Sequence, residues 1–141
     1  ITIAYASVYG HLKAAVEELA SALEARGQKV SVFDLARDDM AEAVEDAFRY
    51  DRLVLASITY QGEIFPCMST FIHTLAEHAY QNRTVALVES GSWAPAAAKV
   101  MTKELEGMKD ITLTQNKVTV LGSLNDASRA QIEVLADELS K

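Results

Sequence analysis

Apolar positions along the chain switch between the period of a strand and that of a helix. Ile1-Thr2-Ile3-Ala4-Tyr5-Ala6 is a β-branched and aromatic run that ends in a Ser/Gly turn. Over residues 11–26, Leu12, Ala15, Val16, Leu19, Ala20 and Leu23 recur at helical spacing, and Gly27 stands where such a helix would stop. Residues 29–35 read as a second strand, and Asp38 or Asp39 is placed to cap a helix running to about Arg49. Leu53-Val54-Leu55-Ala56 and Val85-Ala86-Leu87-Val88 are unbroken apolar runs, the pattern of strands covered on both faces. Pro66 suits the first turn of a helix through about Ala79, and Pro95 introduces another ending near Gly107. Val118-Thr119-Val120-Leu121 supplies a fifth strand, and Asp126 is placed to cap a last helix through Leu139. Residues 111–114 read either as an extra strand or as an extended approach to the fifth.

Five strands alternating with five helices predict an α/β doubly wound sandwich, a parallel sheet with helices on both faces. Right-handed crossovers leave few topologies, and the common five-stranded order is 2-1-3-4-5. Ligands of such sheets bind beyond the carboxyl ends of the strands, at the switch between the first and third. Function is therefore expected after Ala6, Ala56 and Val88.

Bulk properties narrow the class. The 141 residues fit a single domain spanning 1–141. At that length roughly two-thirds of the unfolded chain's surface is buried, so no disulfide or metal staple is needed. One cysteine, Cys67, cannot make an internal disulfide, which suits a reducing, cytoplasmic compartment. The net charge of −7 argues against nucleic acid and would steer a basic protein partner, although solubility explains it equally well. No apolar run approaches the ~20 residues of a membrane helix. The chain opens at Ile1 inside a strand and without Met, which predicts a domain cut from a longer, multidomain polypeptide.

The unusual sequence lies in the three loops at the strand ends. Ser7-Val8-Tyr9-Gly10-His11-Leu12 runs straight into a helix, whose free N–H groups and dipole suit a phosphate; a plain strand-to-helix turn is the alternative. Ser57-Ile58-Thr59-Tyr60-Gln61-Gly62 places an aromatic ring at the crevice beside a flexible glycine, where Tyr60 would either stack on a heterocycle or seal the sheet. Ser90-Gly91-Ser92-Trp93-Ala94 carries the only tryptophan. Two aromatics and one anion-friendly helix start describe a site for a planar ring with a phosphate tail.

These loops resemble those of flavodoxins, and especially the flavodoxin-like module of flavodiiron proteins. The segments 5–10, 59–60, 64–66 and 91–95 carry the likeness, which spans nearly the whole chain. The resemblance implies FMN as cofactor. Ser7, Val8, Tyr9, Gly10, His11 and Leu12 would hold its phosphate. Ser57, Ile58, Thr59, Tyr60, Gln61 and Gly62 would flank the isoalloxazine with Ser90, Gly91, Ser92, Trp93 and Ala94. Tyr60 and Trp93 would be the stacking rings. Flavodoxins usually carry three hydroxyl residues in the phosphate loop; here Tyr9 and Leu12 replace two of them. A missing charge-assisted bond costs on the order of 1–3 kcal/mol of binding, which a charged His11 would partly offset.

Other chemistry finds little support. His73 and His78, five apart on a predicted helix, fall on different faces and form no chelating pair. Cys67 has no second cysteine or base beside it. Glu104-Leu105-Glu106 and Asp38-Asp39 read as solvated helix ends. Ala6-Ser7 stands where a phosphoryl-accepting receiver domain would carry an acidic residue. The expected function is an electron relay: a reductase or rubredoxin-like donor reduces FMN, and an acceptor such as a diiron centre on another domain reoxidises it. A homodimer in the full-length context is compatible with this. Two rival readings are a docking domain with a degenerate FMN site and a flavin-dependent quinone reductase.

Overall fold

The computed structural model describes residues 1–7, 10–60, 62–91 and 95–141, with Tyr60 described in its backbone. In chain order the elements are β1 (Thr2–Ala6), α1 (Gly10–Ala25), β2 (Ser31–Asp34), α2 (Met40–Arg49), β3 (Arg52–Tyr60) and β4 (Glu63–Ile64). There follow α3 (Pro66–Glu77), β5 (Arg83–Gly91), α4 (Ala97–Leu105), β6 (Ile111–Leu113), β7 (Val118–Leu121) and α5 (Asp126–Leu139).

Strand alternation divides the core in two. Ile3 and Tyr5 of β1 pack with Val54, Ala56, Ala86 and Val88 under the apolar faces of α1 and α5. Their neighbours Ala4 and Ala6 point the other way, joining Leu53, Leu55, Val85 and Leu87 under α2, α3 and α4. Because both faces of the central strands are covered, Leu53 to Ala56 are all wholly buried, as their unbroken apolar sequence requires.

The sheet order is β2-β1-β3-β5-β6, with β7 also paired to β5 and β4 paired to β3. The five-stranded, all-parallel expectation is corrected on two counts. The far edge position is shared: β6 pairs with β5 from Arg83 to Val85, and β7 pairs with it from Val88 to Gly91. At nine residues β5 is long enough to carry both of these short strands. The second addition is β4, which returns antiparallel on β3 through Thr59–Ile64 and Tyr60–Glu63 pairs. Gly62, at φ +79°, supplies the left-handed backbone that so short a reversal uses.

Helix ends follow local chemistry. Gly27 takes φ +83°, and the N–H groups of Gly27 and Gln28 close back on Glu24 and Leu23, a Schellman stop for α1. Asp39 caps α2 by accepting the Ala41 N–H. The last helix is capped by Asn125 in a reciprocal box with Ser128, rather than by Asp126. Among the described residues no helix is long and apolar enough to cross a membrane.

Candidate functional site

The strand register brings the three loops to one edge. Ala6 lies opposite Ser57, and Ile58 opposite Ser90, so β1, β3 and β5 deliver their carboxyl ends side by side. This is where an open parallel sheet accepts ligands.

At the first loop, Ser7 is half-buried and α1 starts at exposed Gly10. The first turn of α1 holds no acidic residue, and His11 and Lys13 are exposed on it. Leu12 is fully buried in the core shared by α1, α5 and the sheet. Its side chain therefore contributes packing, and only the backbone of position 12 belongs to the helix start.

At the second loop, the buried Ser57 hydroxyl is spent on the hairpin: it accepts the Phe65 N–H at 3.2 Å and donates to the Ile58 carbonyl at 3.0 Å. Ile58 is half-buried against the α1–α5 side. The Thr59 hydroxyl accepts the N–H groups of Ala96 at 2.9 Å and Ala97 at 3.2 Å, so it faces α4. Gly62 is exposed. At the third loop, Ser90 is buried and Gly91 half-buried. Val8, Tyr9, Gln61, Ser92, Trp93 and Ala94 lie outside the described residues, as does the Tyr60 side chain.

One residue at this edge escaped the sequence reading. Glu89 is 3% exposed. Its Oε1 accepts the Ala98 N–H at 3.0 Å, and its Oε2 accepts from the Thr119 hydroxyl at 2.8 Å and lies 3.3 Å from Lys117 Nζ. The available signal was a carboxylate directly after the apolar run 85–88, where a buried charge needs partners.

Asp38, Asp39 and Glu106 are exposed, as expected of solvated helix ends, and the same reading is corrected for Glu104. Glu104 turns inward and accepts the Ser69 hydroxyl at 3.0 Å, while Asp38 accepts the Asp34 N–H and Asp39 caps α2. His73 and His78 are exposed, with His73 Nε2 3.8 Å from Glu104. Among the described residues no group of three or more His, Cys, Asp or Glu is placed to hold a metal. Burial pushes the Cys67 thiol above its ordinary value, more than the N–H groups of Cys67 and Met68 pull it down. Burial, then the neighbouring Asp34, likewise raises the Tyr5 phenol.

The α1 start fits a phosphate tail, whereas the rings that would meet a flat heterocycle, Trp93 and Tyr60, have side chains outside the described residues. Three other helix starts are occupied by protein acceptors, α2 by Asp39, α5 by Asn125, and α4 by Thr59 and Glu89, while α3 begins at Pro66 with no side-chain cap. The α1 start has Lys13 and no carboxylate in its first turn, electrostatics that suit an anion.

A doubly wound sheet with its site at these three strand ends defines the flavodoxin-like class. The sequence matches the Flavodoxin domain family over residues 2–127, and the chain belongs to that family. No curated protein matches it. Among solved structures, rubredoxin oxygen:oxidoreductase from the anaerobe Desulfovibrio gigas superposes with a TM-score of 0.92 at 18% identity, over 99% of this chain and 34% of that one. A flavodoxin from the domain Archaea gives 0.85 at 18% identity, over 99% and 94%. A flavo di-iron protein mutant from Thermotoga maritima gives 0.83 at 23% identity, over 98% and 34%. At these identities the likeness is one of fold. The chain spans about a third of the length of the Desulfovibrio and Thermotoga proteins and nearly all of the archaeal flavodoxin.

Proposed function

We propose that the chain is an FMN-dependent electron-transfer domain. The observation that carries this reading is the meeting of the β1, β3 and β5 ends beside a helix start suited to phosphate. When bound, FMN would supply electron transfer at its ring, the protein supplying position and electronics. Ser7, Gly10 and His11, with the backbone at Val8, Tyr9 and Leu12, would hold the phosphate. Tyr60 and Trp93 would cover the ring faces, with the backbone at Gln61 and Gly62 along its edge and Ser90 to Ala94 beside it. Ser57 and Thr59, whose hydroxyls bind protein N–H groups, would act by shaping the loop. Apolar cover from the two aromatic rings would disfavour added negative charge on the flavin and lower its potential.

The donor would be a reductase or rubredoxin-like protein and the acceptor a diiron centre on another domain of a longer chain, dimeric in that context. A reducing, cytoplasmic setting agrees with the single cysteine, and the charge of −7 suits a basic protein partner over nucleic acid. One observation favours a second reading, a docking domain with a degenerate site: Leu12 is wholly inside the core where a phosphate-binding hydroxyl would be useful.

The test is anaerobic. FMN-loaded protein is reduced chemically and mixed with a one-electron acceptor, alongside an assay for NAD(P)H-driven quinone turnover. Stoichiometric electron return without turnover is expected. Sustained NAD(P)H oxidation by the domain alone would replace the carrier reading with a reductase.

A further inference from the structure

Helix α4 begins with a sequence that cannot cap itself. Pro95, Ala96, Ala97 and Ala98 offer no side-chain acceptor, and the N-cap residue Ala96 makes no side-chain bond. The first N–H groups of a helix must nonetheless find partners. Two strands lend them. Thr59, at the end of β3, takes the Ala96 and Ala97 N–H groups, and Glu89, near the end of β5, takes that of Ala98. Three consecutive amides are thus capped by two residues 30 positions apart. The same Glu89 carboxylate reaches β7 through Thr119 and Lys117. The ends of the third loop are also pinched: a Cβ at Gly91 would lie 3.4 Å from Pro95 Cβ and 3.5 Å from the Thr59 hydroxyl. Gly91 is therefore packed against both the far end of its own loop and the clamp.

We propose that Thr59 and Glu89 are positioning residues of the flavin site, fixing the points where the third loop leaves β5 and enters α4. The proposal rests on the flavin-carrier reading. A loop with both ends held loses less freedom when a ligand seats against it, so the clamp favours binding by preorganisation. It also fills the positive end of α4 with the protein's own acceptors, and so removes that helix start as a competitor for the cofactor phosphate.

Trp93, the only tryptophan, reports on this loop without any flavin present. The experiment compares wild type with Thr59→Val, Thr59→Ser, Glu89→Gln and a control, Ser69→Ala, which removes a bond between α3 and Glu104 on α4. Each flavin-free protein is measured for urea midpoint, Trp93 emission and near-ultraviolet circular dichroism, and then titrated with FMN. Thr59→Val is expected to change the Trp93 signature and weaken FMN binding roughly tenfold, and Thr59→Ser to restore both. Glu89→Gln keeps an oxygen for Ala98 and is expected to weaken binding by a smaller factor. Ser69→Ala should leave Trp93 and FMN binding as in wild type. If Thr59→Val and Glu89→Gln lose only urea stability, with Trp93 and FMN affinity unmoved, the clamp is structural and the proposal is overturned. Should Thr59→Val not fold, Glu89→Gln decides by the same criterion. A wild type that ignores FMN would sink the flavin reading, and the Trp93 signature would then decide on the clamp alone.

Discussion

Glu138 holds Asn116 by two bonds, accepting its backbone N–H at 3.0 Å and its side-chain amide at 2.8 Å. The second carboxylate oxygen accepts the Gln115 N–H at 2.8 Å. One side chain on α5 thus fastens the connection between β6 and β7, the two strands that share the edge of β5. What it secures is the placement of β7, which carries Thr119 to Glu89.

That arrangement has a pH signature. Burial alone would raise the Glu138 pKa, but the N–H groups of Gln115 and Asn116 and the Asn116 amide together hold it below the ordinary 4.5. A carboxyl with a depressed folded pKa stabilises above its unfolded value and loses that contribution as pH falls through the folded one. Glu138→Gln is expected to lower the urea midpoint at pH 7, with the gap to wild type narrowing below pH 4.5. A gap that stays constant down to pH 3 would show that the charge plays no part.

Tyr80 offers a test of the opposite sign. It is 1% exposed, stands edge-on to Phe48 at 5.0 Å between centroids, and lies beneath the Arg83 guanidinium at 5.2 Å. Its hydroxyl has no hydrogen-bond partner among the described residues, and burial raises the phenol well above its usual range. Tyr80→Phe keeps the ring contacts and removes an unpaired polar atom, so stability should hold or rise by up to about 1 kcal/mol. A loss in urea denaturation would mean that the hydroxyl is bonded in solution.

A change at position 12 should cost stability without a gain in affinity. Leu12→Thr shrinks a wholly buried side chain and buries a hydroxyl, at a cost of about 1–3 kcal/mol. Because this side chain packs in the core, FMN affinity should stay as in wild type. Tighter FMN binding by the variant would show that a hydroxyl at position 12 reaches the phosphate.

Cys67 should be sluggish. Its thiol is partly buried with a raised pKa, and the thiolate is the reactive form. Alkylation by iodoacetamide at pH 7.5 is expected to run about tenfold or more below that of free cysteine. A rate above that of free cysteine would mark an activated thiol.

Much of the fold was legible because buried parallel strands and one-sided helices leave strong periodic marks. The runs at Leu53, Val85 and Val118 are strands, and Leu12 to Leu23 do line one face of α1. Short elements left weaker marks: β4 has two residues, depends on Gly62 and is not among the expected strands, and β6, with three, is one of two alternatives for residues 111–114. In the site, the loops could be located because strand ends follow from strand positions. The directions of side chains could not. Ser57 and Thr59 are expected from the sequence only to flank the flavin, and their hydroxyls bond the amide of Phe65 within the same hairpin and those of Ala96 and Ala97 far along the chain. Glu89 looks solvent-facing in a linear string and turns inward because the start of α4 packs over it, and Glu104, on α4 itself, turns toward Ser69 of the neighbouring α3.

A phosphate-bearing flavin at the three strand ends is tested most directly by a paired titration. Purified flavin-free protein is titrated with FMN and, separately, with riboflavin, following the quenching of flavin fluorescence. Saturable binding of FMN at about micromolar or tighter, with riboflavin at least about tenfold weaker, is the expected result. Folded protein that quenches neither flavin, or binds the two equally, would contradict it.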